Sequence, residues 1–191
     1  MKISIITFLL LTLLSTRSCG QNSNQGPGPG ANQQEKYLEL LEGRQFALVA
    51  NHTSLLAGVH LVDTLLNSGV EKSQVEKIFC PEHGFRGERG AGMLVDDHTD
   101  PKTGIPVVSL YGSNRKPSAE QMAGLELLLF DLQDVGARFY TYISTLHYAM
   151  EACAESGIPL VVLDRPNPNG GYVDGPLMEP EFVSFVGMHP I

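Results

Sequence analysis

The sequence predicts an α/β protein, a parallel sheet covered by helices on both faces. Five short apolar runs, at residues 46–50, 75–79, 105–110, 125–130 and 158–163, lack polar alternation, as strands buried on both sides do. Stretches with apolar residues at helical spacing lie between them. Polar residues follow each run, and in an open parallel sheet those carboxyl ends share one edge, where ligands bind.

At the amino end, Lys2 precedes an apolar run over residues 3–14, too short to span a bilayer, so residues 1–18 read as a signal peptide. Cys19, directly after small Ser18, suggests the lipidated first residue of a bacterial lipoprotein, although Thr16 and Arg17 depart from the usual lipobox. An ordinary secreted protein cleaved nearby is the plainer alternative. Residues 19–36 carry that cysteine and a flexible tether of Gly, Pro, Asn and Gln with no side chains able to build a core. The folded domain is expected over residues 37–191.

The formal net charge is −8, and cleavage of the signal removes two further positive charges, Lys2 and Arg17. With no basic stripe, this argues against nucleic acid as a partner. Contact with a membrane is expected through the lipid anchor only. Cys80 and Cys153 remain, and they read as buried free thiols rather than a disulfide.

The first strand is followed by Asn51-His52-Thr53, and a helix is expected over residues 59–67, closed by Gly69. The second strand runs into Cys80-Pro81-Glu82-His83-Gly84-Phe85-Arg86-Gly87. Here a carboxylate, an imidazole and a guanidinium lie on a turn marked by Pro81, Gly84, Gly87 and Gly90. Pro81 and Phe85 offer Glu82 surroundings that raise a carboxyl pKa and suit a general acid. The bland alternative is a carboxylate capping the next turn. His83 and Arg86 can hold a polar or anionic ligand, or His83 can be structural. Asp96, Asp97, His98 and Asp100 have metal-ligand composition but read as a solvated loop, so no metal is expected.

A short helix over 118–123 carries a possible capping box, Ser118 with Gln121. After the fourth strand comes the densest polar and aromatic segment, residues 131–142, with Asp131, Gln133, Asp134, Arg138, Tyr140 and Tyr142. Carboxylates and amides bond sugar hydroxyls, and tyrosine rings stack on sugar faces. A helical Asp134–Arg138 ion pair is the alternative there. A helix over 142–155 ends at Gly157, and the fifth strand leads into the Asp164-Arg165-Pro166-Asn167 loop. No zinc-protease, P-loop or Gly-x-Ser-x-Gly motif is present, and Asn51-His52-Thr53 stands where a dinucleotide fingerprint would.

With the segments 81–87, 131–142 and 164–168 in that order, the chain resembles the exo-β-N-acetylmuramidase (NamZ-type) glycoside hydrolases, from about Phe46 to its last residue. The resemblance implies a Rossmann-like amino-terminal domain joined to a smaller carboxy-terminal one. Since the chain stops at Ile191 inside what reads as a linking motif, that second domain is expected to be missing. It also implies release of N-acetylmuramic acid from the non-reducing end of peptidoglycan fragments, in the exported space of a bacterium, periplasmic or outer-surface, with no cofactor. The partners it implies are muropeptides or disaccharides derived from peptidoglycan. Carried over to this sequence, Glu82 is the catalytic acid, and Glu151, then Asp134, are the candidates for a second catalytic group. Asn51, His83, Arg86, Gln133, Arg138, Tyr140, Tyr142, Asp164, Arg165 and Asn167 are the expected substrate-binding residues, with Arg86, Arg138 and Arg165 the cations available to the lactyl carboxylate. A lipid-anchored protein that captures muropeptides without cleaving them is the alternative of another class.

Overall fold

The computed structural model describes residues 28–82, 84–87 and 96–189. Its six-stranded sheet is built on Phe46–Ala50 (β1), every residue of which is buried. β1 pairs in parallel with Val75–Cys80 (β4) on one side and Leu127–Asp131 (β7) on the other. Beyond β4 lies Pro106–Ser109 (β6), also parallel, and beyond β7 lies Leu160–Val162 (β8). The five parallel strands therefore stand in the order third, second, first, fourth, fifth, with the direction of winding reversing between β1 and β7. The last strand, His98–Thr99 (β5), adds antiparallel to β6, so the sheet is mixed rather than purely parallel. Leu55–Leu56 (β2) and Val59–His60 (β3) form a separate hairpin.

Alternation along β1 divides the core. Phe46, Leu48 and Ala50 face Tyr37 and Leu41 of helix Gln34–Leu41 (α1) and Leu61, Val62 and Leu65 of Leu61–Asn67 (α2). Ala47 and Val49 face Met122 of Ala119–Met122 (α3) and Tyr142, Ala149 and Ala152 of Tyr142–Ser156 (α4). Each β1 residue is thus covered, which is why that run carries no polar alternation. Cys80 belongs to the first cluster and Cys153 to the second, so the sheet separates the two free thiols.

Three expectations are corrected. The folded body begins before Tyr37: Ala31 is fully buried, the Tyr37 hydroxyl donates to its carbonyl at 2.9 Å, and Gly30 N donates to Asp164 O at 2.6 Å. Residues 30–36 are therefore packed structure, not tether. The helix expected over 59–67 starts at Leu61, because Val59 and His60 pair with Leu56 and Leu55 instead. The segment after Asp96 is no solvated loop: Asp97 accepts from Ser109 N at 2.8 Å, and Asp100 is buried. Among the described residues no group of His, Cys, Asp and Glu is arranged to hold a metal ion. The Ser118–Gln121 capping box is present, and α4 ends as expected on Gly157, whose left-handed backbone places its N–H on the Cys153 and Ala154 carbonyls. No described helix is long and apolar enough to cross a membrane.

Candidate active site

The site forms where the carboxyl ends of β1, β4, β7 and β8 meet. Asn51, first after β1, is fully buried. Its Oδ1 accepts from Thr53 N and Oγ1 at 2.8 and 2.6 Å, and its Nδ2 donates to the Tyr142 hydroxyl at 2.6 Å. Ser54 Oγ donates to the Asp131 carbonyl at 2.5 Å, and Gln133 N donates to Thr53 Oγ1 at 3.2 Å. The Gln133 amide reaches the carbonyls of Asp134 and Pro166 at 2.7 and 3.1 Å. These bonds tie three strand ends into one frame. Asn51 and Gln133, expected on the substrate, spend their side chains within it.

Arg165 is also spent. Its Nε and Nη2 grip Asp131 at 2.5 and 2.9 Å, and Nη2 also donates to the Leu55 carbonyl at 3.2 Å. Burial pushes the Asp131 carboxyl up, with the Arg165 fork opposing it. Arg86, expected to read an anion, is bound to Asp63 and Asp100 instead. Those two partners were legible only as a helix residue and a loop residue, since nothing in their spacing showed that α2 and the β5–β6 turn meet.

Beside this frame a cavity of about 730 Å³ opens between the β7 and β8 loops. Asp134, Arg138, Tyr142, Asp164, Arg165 and Asn167, all expected site residues, line it. Residues 132–141 form a loop, so the helical spacing that would pair Asp134 with Arg138 does not arise. Asp134 Oδ1 accepts from Gly136 N at 2.7 Å, while Oδ2 is buried with no hydrogen-bond partner among the described residues. Arg138 Nη2 donates to the Pro176 carbonyl. A Cβ at Gly136 would overlap the Asn167 side chain at 2.2 Å, so the two loops at the cavity mouth touch. Tyr140 stands edge-on to Tyr142 with ring centroids 5.0 Å apart.

Glu82 lies half-buried just past β4, close enough to Tyr142 for its charge to act on that hydroxyl. Burial, with Tyr140, Cys80 and the Glu82 carboxylate adding to it, pushes the Tyr142 hydroxyl well above the usual phenol value, against the Asn51 bond. It therefore stays a donor at any working pH. The Glu82 loop also abuts the turn after β1, since a Cβ at Gly87 would stand 3.2 Å from His52 Cβ. His83 and Cys19 lie outside the described residues. Glu151 is not brought to the site: it projects from α4 onto Lys116 at 3.3 Å and His147 at 3.2 Å, and those hydrogen bonds lower its pKa. That is the opposite of what a general acid needs. Glu151→Gln is expected to keep kcat on a muramic acid glycoside within about twofold, and a loss beyond tenfold would return it to the site.

His60, which sequence reasoning passed over, links the end of β1 to the segment that follows Glu82. Its Nε2 donates to the Asn51 carbonyl at 2.9 Å, Nδ1 accepts from Val62 N at 3.3 Å, and its ring meets Phe85 edge-on at 4.4 Å. Burial lowers its pKa to about 4, with Arg86 adding to that and the Asn51 bond, Asp63 and Asp100 opposing. The folded pKa lies below the unfolded one, so this stability is full above about pH 6.5 and is lost as pH falls toward 4. The expected loss is about 3 kcal/mol at 1.36 kcal/mol per pKa unit. Urea titrations at several pH values should show it, and His60→Gln should flatten the slope.

The strand order, with its winding reversed between β1 and β7, defines an α/β protein of the doubly wound class, in which such a strand-end crevice is the usual place for a ligand. The chain belongs to the family described as exo-β-N-acetylmuramidase NamZ, N-terminal, whose model matches residues 46–191. It is 47% identical over 162 residues to the peptidoglycan β-N-acetylmuramidase NamZ of Bacillus subtilis (strain 168), covering 81% of this chain and 37% of that protein. Two solved DUF1343 family proteins from Bacteroides fragilis NCTC 9343 share its fold. One is 42% identical with a TM-score of 0.73, over 85% of this chain and 41% of that one. The other is 36% identical with a TM-score of 0.75, over 86% and 41%. The chain thus spans about two fifths of the length of these relatives.

Proposed function

We propose that the chain carries the catalytic strand-end site of an exo-acting glycosidase that releases N-acetylmuramic acid from the non-reducing end of peptidoglycan fragments, in cell-wall turnover and recycling. The observation that carries this is a cavity of about 730 Å³ in which Tyr142, whose hydroxyl feels the Glu82 charge, stands with the sugar-bonding groups of Asp134, Arg138, Asp164 and Asn167. The similarity to a named muramidase supports it. Glu82 protonates the leaving oxygen. Asp134, whose Oδ2 has no hydrogen-bond partner among the described residues, serves either as the second carboxylate or to orient the substrate's own 2-acetamido group, which can attack the anomeric carbon. Arg138 at the cavity wall faces the lactyl carboxylate. In this reading residues 1–18 export the protein and Cys19 carries the anchor.

The test is hydrolysis of a chromogenic N-acetylmuramic acid glycoside by the full-length gene product. Release of the chromophore supports the reading. Tight muropeptide binding without release would replace it with a capture function.

A further inference from the structure

Arg86 follows Glu82 by four residues and is held from two directions. Its Nε and Nη2 each reach one oxygen of Asp100 at 2.7 Å, and its Nη1 and Nη2 reach Asp63 at 3.1 and 3.2 Å. The carboxylates come from separate elements, Asp63 from the first turn of α2 and Asp100 from the turn after β5. Each is itself fixed. Thr103 donates its N–H and hydroxyl to Asp100 at 3.1 and 2.6 Å, and Lys102 reaches Asp63 at 2.7 Å. Although burial alone would raise the Asp100 and Asp63 carboxyls, Arg86 with Thr103 and Lys102 holds both below the usual range, so both stay ionised. Next to Arg86, Phe85 is buried against His60.

The segment carrying Glu82 is therefore pinned at both ends, by β4 upstream and by Phe85 and Arg86 downstream. Phe85 supplies the apolar burial. A fork bonded to both oxygens of a buried carboxylate adds direction, which burial does not. We propose that Asp63 and Asp100 are positioning residues for the reaction at Glu82, acting through Arg86. The proposal rests on the glycosidase reading. Two carboxylates face one guanidinium and one ammonium, so the cluster is formally neutral and works by geometry rather than by its field.

Misplacing a reacting group by about 1 Å costs up to about 10²-fold in rate. In the full-length gene product acting on a disaccharide substrate, whose leaving alkoxide needs the acid, Asp100→Asn and Arg86→Lys, which keeps the charge but not the fork, should lower kcat about 10- to 100-fold. KM should stay within about twofold and the pH profile unmoved. Combined with Glu82→Gln, either should add less than about twofold, because a residue acting through Glu82 has nothing left to position. Should Asp100→Asn fail to fold, Asp63→Asn, which weakens the longer of the Arg86 bonds together with the Lys102 contact, carries the same test. Hydrogen exchange at the amides of residues 84–87 should also quicken in it. Losses that multiply with Glu82→Gln, or unchanged exchange, overturn the proposal alone. A wild type that leaves the glycoside intact overturns the glycosidase reading and this proposal with it.

Discussion

Glu82→Gln lowers kcat on a disaccharide-type substrate by about 10²–10⁴-fold and leaves KM within a few-fold, the loss expected when a positioned general acid is removed without changing its shape. Glutamine is isosteric and still hydrogen-bonds, so binding in the cavity beside Tyr142 survives. The size of the loss should depend on the leaving group. A sugar alkoxide departs poorly without a proton, whereas an acidic phenolate needs little help, so the variant should retain far more activity on a nitrophenyl glycoside. Equal losses on both substrates would mean that Glu82 acts as a nucleophile or a structural group, and no loss would remove it from the reaction. Steady-state kinetics on the two substrates decide this.

Arg165→Met should destabilise the fold by about 3–5 kcal/mol, the range for stranding one member of a buried ion pair. Asp131 is fully buried and Arg165 nearly so at the side-chain level. Without the guanidinium, the carboxylate has lost its counter-ion and its two strongest bonds. Its pKa, already raised by burial, would climb further, so the deficit should shrink as pH falls and the group takes up a proton. The double variant Asp131→Asn, Arg165→Met should recover much of the loss, since no charge is then stranded. Chemical denaturation of the three proteins at neutral and acid pH tests this. A double variant as unstable as Arg165→Met would show that the arginine acts through its contact with the Leu55 carbonyl and its packing instead.

What the sequence revealed and what it hid divide along the range of the interactions. β1 was legible to the residue, because five buried apolar residues bounded by polar ones admit little else. The ends of β6 and β8 fall one or two residues inside their apolar runs, since side chains such as Leu110 and Leu163 stay buried after the ladder pairing stops. The β2–β3 hairpin and β5 were missed because strands of two residues leave no periodicity. At the site, residue type identified polar groups at strand ends but not their use. Arg86 and Arg165 look like ligand-reading arginines until Asp63, Asp100 and Asp131 are seen to occupy them. His60 sat inside an apolar stretch with no local sign that it would face Asn51 and Phe85.

The strand order has a consequence for the time course of folding. β1 lies between β4 and β7, and the contacts that complete the site span long stretches of chain: 77 residues from Ser54 to Asp131, and 91 from Asn51 to Tyr142. Loops of that length close slowly, and their cost is met before any contact rewards it. The frame at the strand ends is thus expected among the last parts to form, after the local β1–β4 and α2 contacts. A sugar that binds only the finished site would report on the final step of folding, and its capture rate during refolding would measure that closure.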